Sequence, residues 1–504
     1  MCGLFLTNSS SVSDKSTQIL DQYLGFRGPD AQSGLVTNGT WKSYHARLSI
    51  IDINPRANQP VVNVDRSQLL FNGEIFNFKE LGQKYFNKIY SSDTLLLNDL
   101  IIFDKLKVAE LDGFFAFVFI NRNGKVEFAC RDRFGVKPLF YYKHGTDIAF
   151  CSEPGPLKIL FNCSVNERSI QEYQYFRYPI LQSSYFNDIH QIPPGNCLIS
   201  GEFFSLEQEL AKQNGITDKT NIEDIISKGV STRLMADVPI GLLVSSGIDS
   251  NLIRQFHNFD SYFSIGFSGD DDIELLKQLD LPNLYILEPN ETEFKEAFEY
   301  LLSLRQEPLS VPNEVLLFIL GSFAKKRGIK VLLSGEGADE FFAGYDMVFS
   351  WAAKTKFFDL QEFLNLYSYT PVPKQSDIYD ELDQIFSKIS FRTVFEKVRW
   401  FFIKYHLPIL FRRLDFALMA AGIEGREPLA NQHLFSLCRN FTSDKLLKDG
   451  LGKMPLRNLL INYMGEEFAL REKIGFPVDL RKIYKKYKNM SSYEIWFKKN
   501  MEVL

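Results

Sequence analysis

Short apolar runs separated by turns rich in Gly, Asn and Asp occupy the chain from Leu4 to about Ser200. Gln68-Leu69-Leu70-Phe71, Phe114 to Ile120 and Val126 to Cys130 are the clearest strands among them, so this part reads as sheet-dominated. Between Phe203 and Ile222 the pattern changes, and polar, charged sequence leads into Ile222-Glu223-Asp224-Ile225-Ile226 and a long helical period. Beyond it, Val238 to Val244 and Val331-Leu332-Leu333 are continuous apolar runs. Each meets a polar, glycine-containing turn and then a helix, as buried parallel strands do. From Phe357 onward the period is mostly helical, and no internal repeat or low-complexity segment appears. The pattern predicts two domains, 2–200 dominated by sheet and 201–504 beginning as α/β and ending as helix.

Composition narrows the class without changing that division. At 504 residues, with 45% hydrophobic and 24% charged content, the chain has the makeup of a soluble globular protein large enough for two or three domains. Its net charge is −5 and no run of Lys or Arg forms a stripe, so no nucleic-acid partner is suggested. The most apolar segments, Phe114 to Ile120 and Leu407 to Phe411, fall far short of the ~20 residues that cross a bilayer, and read as buried strand and helix. The N-terminus reaches polar Thr7 to Ser11 without a basic region and apolar stretch, so a cytoplasmic location is expected. Six cysteines, Cys2, Cys130, Cys151, Cys163, Cys197 and Cys438, show neither C-x-x-C spacing nor the density of a disulfide scaffold. Neither zinc nor structural disulfides are expected, and all but Cys2 read as buried small hydrophobes.

Cys2 differs because removal of Met1 would place a free α-amine beside its thiol. That amine titrates at roughly 7.7–8.0, so near neutral pH part of it is available as general base for the adjacent nucleophile. Downstream stand Arg27-Gly28-Pro29-Asp30, His45 to Asp52, Asn72-Gly73-Glu74-Ile75-Phe76-Asn77, Ser92-Asp93-Thr94 and Arg131 to Leu139. Taken singly, Asn72-Gly73 is a hairpin turn, Asp93 a helix cap and Arg47 a surface ion pair. Taken in order with Cys2, they resemble the glutaminase domain of the asparagine synthetase family, an N-terminal-nucleophile amidotransferase with an αββα sandwich. The resemblance implies Asn72 and the Gly73 N–H as oxyanion hole, Arg47 as clamp for the glutamine α-carboxylate, and Glu74 with Asp93 for its α-ammonium. Asn72 would also contact glutamine, Arg27 would position the Cys2 end, and His45, Arg131 to Leu139 and Phe150 to Glu153 would be scaffold.

The second domain carries the matching half. Val244-Ser245-Ser246-Gly247-Ile248-Asp249-Ser250 lies between an apolar strand and a helix, where backbone N–H groups can cradle pyrophosphate. It resembles the loop of ATP-pyrophosphatases, usually Ser-Gly-Gly-x-Asp-Ser, with Ser246 in place of a glycine. Serine accepts positive φ poorly, so either the loop keeps φ negative there or the site is weakened. The run Leu333 to Tyr345, containing Ser334-Gly335-Glu336-Gly337-Ala338-Asp339, resembles the family's second signature. By resemblance Val244, Ser245, Ser246, Gly247, Asp249, Ser250, Ile265, Ser334 and Gly335 would bind ATP, and Asp249 with Asp339 would hold Mg²⁺. Glu336 would act in the ammonia step, and Lys473, in Lys473-Ile474-Gly475-Phe476-Pro477, would neutralise charge on the α-phosphate.

Together these imply a ligase in which Cys2 releases ammonia from glutamine, ATP adenylates an acceptor carboxylate, and ammonia displaces AMP. Family members are often homodimers, a state that the resemblance suggests and the residues themselves do not report. For the acceptor, asparagine synthesis from aspartate is expected first and amidation of a sugar uronic acid in surface polysaccharide synthesis second. Arg305 to Asn313 resembles the Glu-Pro type of the sugar-linked branch, Gly269 to Pro289 is short, and Ala430 stands where the family mostly has aspartate. A glutaminase-fold regulatory protein without synthesis is the remaining alternative, supported directly by Ser246.

Overall fold

The computed structural model describes residues 2–212, 221–267, 269–472 and 478–503. Two antiparallel sheets fill the first half. One runs in the order 189–191, 140–144, 147–151, 2–7, 41–47, 31–32, and the other 201–202, 196–197, 126–131, 113–120, 68–75, 61–62. Side chains alternate across each strand, and the alternation makes the layers. Leu4 and Leu6 face Leu70, Ala116 and Val118 of the opposite sheet. Phe5 faces the other way, against Leu20, Leu24, Leu157 and Tyr173 from the helices outside. On the second sheet Leu69, Phe71, Phe115 and Phe117 pack outward on Leu81, Leu96 and Leu100 of Phe78–Phe86 and Asp93–Ile102. The result is the expected αββα sandwich.

The second half contains a five-stranded parallel sheet in the order 284–287, 262–265, 240–243, 331–333, 424–426. Helices Asn313–Lys326 and Leu407–Ala420 cover one face, where Leu320, Ala324, Leu414 and Leu418 meet Phe263 and Leu332. The strand Glu424–Arg426 lies in the region expected to be helical. Its sequence, Glu-Gly-Arg, lacks the apolar run that reveals the other parallel strands.

Gly201–Glu202 pair with Asn196–Cys197 at the edge of the second antiparallel sheet. One sequence expectation is revised. Cys130 and Cys197 form a disulfide, against the expectation of none, while Cys2, Cys151, Cys163 and Cys438 remain free. The two half-cystines are 67 residues apart but sit opposite one another on neighbouring strands, with Cα atoms 4.0 Å apart. Sheet register makes this pair, and sequence spacing does not report register.

The halves are joined by a buried chain of alternating charges. Arg27, Lys137 and Glu153 come from the first half, and Arg305, Glu307, Glu314, Arg412 and Asp415 from the second. Arg27 pairs with Glu153 at 2.5 Å and Asp415 at 2.8 Å; Arg412 pairs with Glu153 at 2.5 Å and Glu307 at 3.2 Å; Arg305 pairs with Glu307 and Glu314. Isolated buried charges would be very costly, and mutual pairing is what makes such a chain tolerable.

Candidate functional site

The amide-cleaving candidates come together around the first residue of the N-terminal strand. Cys2 is opposite Arg47 in the antiparallel register, and its main-chain N–H donates to Asn72 Oδ1 at 2.9 Å across the gap between sheets. Once Met1 is removed, that nitrogen is the α-amine. The Asn72 side chain is fully buried, and its Nδ2 has no hydrogen-bond partner among the described residues. An orphan buried donor is costly, and this one belongs to the side chain that holds the nitrogen of Cys2, the candidate nucleophile. Asn72-Gly73 is no hairpin turn: both residues lie inside Gln68–Ile75. Gly73 has φ +141°, and a Cβ there would lie 2.0 Å from the Phe114 carbonyl oxygen, so only glycine fits.

Arg47 is buried, not a surface pair. Its Nη1 donates to Asn54 O at 3.0 Å and Asn58 Oδ1 at 2.8 Å, and its Nη2 to the carbonyls of Ile51 and Asp52. Among the described residues no carboxylate pairs with it, which leaves its charge for an incoming one. Asp93 opens its helix, whose N-cap is Ser92, and accepts from the Ile75 and Thr94 N–H groups at 3.0 and 2.7 Å. Burial, Asp93 and Glu424 together raise the Glu74 carboxyl well above the ordinary range, and burial raises Asp93 as well. Such a close pair shares a proton until a cation arrives. Burial also raises the Cys2 thiol, against the amino terminus, the Leu48 backbone and Arg47. Arg27 Nε holds the Cys2 carbonyl at 3.0 Å, and His45, kept neutral by burial, reaches Phe71 O at 3.2 Å as scaffold.

The nucleotide candidates surround a second cavity of about 510 Å³. Val244, Ser245, Gly247, Asp249, Ser250, Ile265, Ser334, Gly335, Glu336 and Asp339 all line it. Ser246 lines the adjoining cleft with Gly247, Asp249 and Lys453. Its φ is not positive, and its N–H and Oγ both donate to Asp272 Oδ1. Serine thus ties the loop to Asp271–Lys277, a contact that glycine's missing hydroxyl would halve. Gly335 allows the two loops to close, since a Cβ there would lie 2.7 Å from Asp249 Cβ.

Lys453 was not apparent in the sequence. Its Nζ sits 2.6 Å from Asp249 Oδ2 and 2.8 Å from Asp339 Oδ1, and Gly344 makes room for it, because a Cβ there would meet Lys453 Cε at 2.1 Å. The only local signal is a lysine just before a helix with proline in its first turn, Met454–Met464. Two carboxylates converging on one cationic point also fit a hard divalent ion such as Mg²⁺. Among the described residues no three His, Cys, Asp or Glu side chains form a metal cluster, so such an ion would complete its shell with phosphate and water. Lys473 lies outside the described residues.

The same cavity is lined by Tyr345, which ends the second signature, and by Tyr369, His406 and Arg413, which were not apparent in the sequence. Tyr345 OH donates to Glu340 Oε1 at 2.5 Å and lies 3.0 Å from His406 Nε2, while Tyr367 OH lies 3.2 Å from His406 Nδ1. Burial and Asp339 push Glu340 up to about 8.

A segment made of the strand Glu424–Arg426 and the turn after it, closed by the Ala430 N–H donating to Glu427 O at 3.0 Å, touches both sites. At its start Glu424 adds to the electrostatics of Cys2 and Glu74, and Arg426 Nη2 lies 3.9 Å from Glu74 Oε1. Burial works against the Glu424 charge, yet Arg426, the amino terminus and Lys137 hold its carboxyl at about 2. At its far end Ala430 packs against Gly337, beside Glu336.

Residues 221–494 match the family model for asparagine synthase, and 1–207 that for a glutamine amidotransferase domain. The chain is 26% identical to asparagine synthetase [glutamine-hydrolyzing] 1 of Bacillus subtilis, over 92% of this chain and 83% of that protein. It is 28% identical to asparagine synthetase [glutamine-hydrolyzing] 2 of the same organism, over 65% of this chain and 49% of that one. With the amidase chyE of Penicillium rubens it shares 28% identity, over 66% and 55%. The described helices include none long and apolar enough to cross a membrane. The chain belongs to the asparagine synthase family, with a glutamine amidotransferase domain preceding the synthase domain.

Proposed function

We propose that this glutamine-hydrolysing ligase uses Cys2 to release ammonia from glutamine and spends it on an acceptor carboxylate activated by ATP. Arg47 receives the glutamine α-carboxylate, and Glu74 with Asp93 give up their shared proton to bind its α-ammonium. The α-amine of Cys2 takes the thiol proton, the thiolate attacks the amide carbon, and Asn72 Nδ2 with the Gly73 N–H takes the oxyanion. Ammonia leaves with the proton held by the amine, and water then releases glutamate from the thioester. The observation that carries this reading is the Asn72 amide, acceptor to the Cys2 nitrogen and bearing a buried donor without a partner among the described residues.

In the second cavity the loops at Val244 to Ser250 and Ser334 to Glu336 hold ATP, and the acceptor carboxylate attacks the α-phosphate with loss of pyrophosphate. A Mg²⁺ bound by Asp249 and Asp339 would neutralise phosphate charge there, with Lys453 alongside and Lys473 at the α-phosphate by family resemblance. Glu336 accepts a proton from ammonia as it attacks the acyl-adenylate. Only neutral ammonia carries the lone pair for that attack, so transfer away from bulk water is required.

Aspartate is the first acceptor: Arg413, without an ion-pair partner among the described residues, suits its second carboxylate. A uronic acid is the second, favoured by the ring-faced wall of Tyr345, Tyr369 and His406. The negative φ at Ser246 removes the direct support for a non-synthetic protein. Pyrophosphate release with ATP, Mg²⁺ and glutamine, comparing aspartate with uronic acids and their nucleotide-linked forms, tests the reading. Release with aspartate supports asparagine synthesis, release only with a sugar acid supports the second acceptor, and glutamine hydrolysis without any release refutes the ligase reading.

A further inference from the structure

Glu427 belongs to neither site, yet it is among the most deeply enclosed carboxyls in the molecule. The residue is 1% exposed, and its Oε2 has no hydrogen-bond partner among the described residues. It lies three residues after Glu424, which bears on the Cys2 site, and three before Ala430, which touches Gly337 beside Glu336. The charges that act on it come from both halves: Lys137 and Asp132 from the first, Asp415 and Glu336 from the second. Lys137 is itself buried, with its Nζ 3.5 Å from Asp415 Oδ1 and 3.5 Å from Gly425 O.

An unmet buried carboxyl oxygen normally costs stability, and a glutamate with no partner is expensive to retain. A ligand that passes through would supply the missing partner. We propose that the Glu427 carboxyl is a binding station for ammonia on its way from Cys2 to the acyl-adenylate. The proposal rests on the two-site reading above, since only an enzyme that makes ammonia at one site and uses it at the other has need of a station. Burial, Asp415 and Glu336 outweigh Lys137 and push this carboxyl up to about 8, so near neutral pH it keeps its proton. Its O–H can then donate to the ammonia lone pair while an ammonia N–H donates to the orphan oxygen. No bond between heavy atoms is made or broken, and a proton passed to ammonia within the hydrogen-bonded pair returns to Glu427 as the ammonia departs, so it leaves neutral and still nucleophilic. A carboxyl that had already lost its proton to solvent would instead hold ammonium with no base to take the extra proton, and ammonium cannot attack.

Infrared difference spectroscopy of the full chain tests this without knowledge of the acceptor. Glutamine is added to generate ammonia inside the protein, and the C=O stretch of protonated carboxyls is followed. The expected result is a carboxyl band that shifts during glutamine turnover, does not shift in Cys2→Ala, and is missing from Glu427→Gln. A Glu427 band that stays fixed while glutamate is released overturns the proposal; absence of glutamate release would instead refute the glutaminase reading, a separate outcome. The second measurement is glutamate released per AMP formed with aspartate as acceptor, in wild type and Glu427→Leu. A rise of about threefold or more, with ammonium-dependent AMP formation kept, is expected, and an unchanged ratio overturns the assignment. Loss of ammonium-dependent AMP formation in parallel also overturns it, because the residue would then serve the synthase site and not the passage.

Discussion

Changing Asn72 to aspartate replaces the orphan Nδ2 donor by a carboxylate oxygen and keeps the acceptor that faces Cys2 N at 2.9 Å. Losing one oxyanion-hole donor costs about 10²–10³ in kcat, or about 2.7–4 kcal/mol. A second loss adds to it. The α-amine has an ordinary pKa of roughly 7.7–8.0, and a carboxylate at hydrogen-bond distance favours its ammonium form by about 1–3 units. Near pH 7.5 the fraction of free base therefore falls about tenfold or more beyond the oxyanion loss. Asn72→Asp is expected to hydrolyse glutamine at least about 10³-fold more slowly than wild type near pH 7.5, with the second part of the loss recovering toward about pH 9–10. Asn72→Ala lacks the added charge, so its loss is confined to about 10²–10³ and shows no such recovery. The assay is glutamate release from about pH 6 to 10, run beside ammonium-dependent pyrophosphate release, which neither substitution should change. Glutamate release by Asn72→Asp within about threefold of wild type near pH 7.5 would refute the placing of the oxyanion at Nδ2.

Four further outcomes follow from the geometry. Lys453→Met leaves Asp249 and Asp339 facing each other without their shared cation; pyrophosphate release should fall about 10²-fold or more with either nitrogen source, while glutamate release persists. Asp272→Ala frees the Ser246 N–H and hydroxyl, and should raise the KM for ATP about tenfold with little change in kcat, the cost of one or two charge-assisted hydrogen bonds. Glu153→Gln removes the charge that joins Arg27 to Arg412; breaking a buried pair costs about 3–5 kcal/mol, so the thermal midpoint should drop by several degrees, and an unchanged midpoint would deny the network its structural role. Glu427 holds a proton in the folded state up to about 8, whereas an unfolded glutamate loses it near its usual value of 4.5, so this group lowers stability as pH rises through that interval. Relative to wild type, the thermal midpoint of Glu427→Gln should therefore be higher at about pH 9 than at about pH 5, and the opposite trend would show the carboxyl to be ionised in the fold.

Sequence by itself determined the division into a sheet-dominated half and an α/β half and named the candidate residues. Alternating and continuous apolar runs report which side of a strand is buried, because burial is decided residue by residue along a local period. That is why the sheet-dominated first half and the parallel strands at Ile240–Leu243 and Val331–Leu333 were legible, whereas the αββα sandwich and the candidate set Cys2, Arg47, Asn72, Gly73, Glu74 and Asp93 came from the resemblance of motifs in order. Asn72-Gly73 shows the limit of local reading: a pair that favours hairpin turns runs through mid-strand, since a site between two sheets needed both its amide and its missing Cβ. Tertiary structure alone decided the strand Glu424–Arg426, the Cys130–Cys197 bond, the bridge from Lys453 to Asp249 and Asp339, and the enclosure of Glu427. Each depends on which distant residues meet across a sheet or an interdomain surface. Whether a buried charge finds a partner is a property of that meeting, and no period along the chain encodes it.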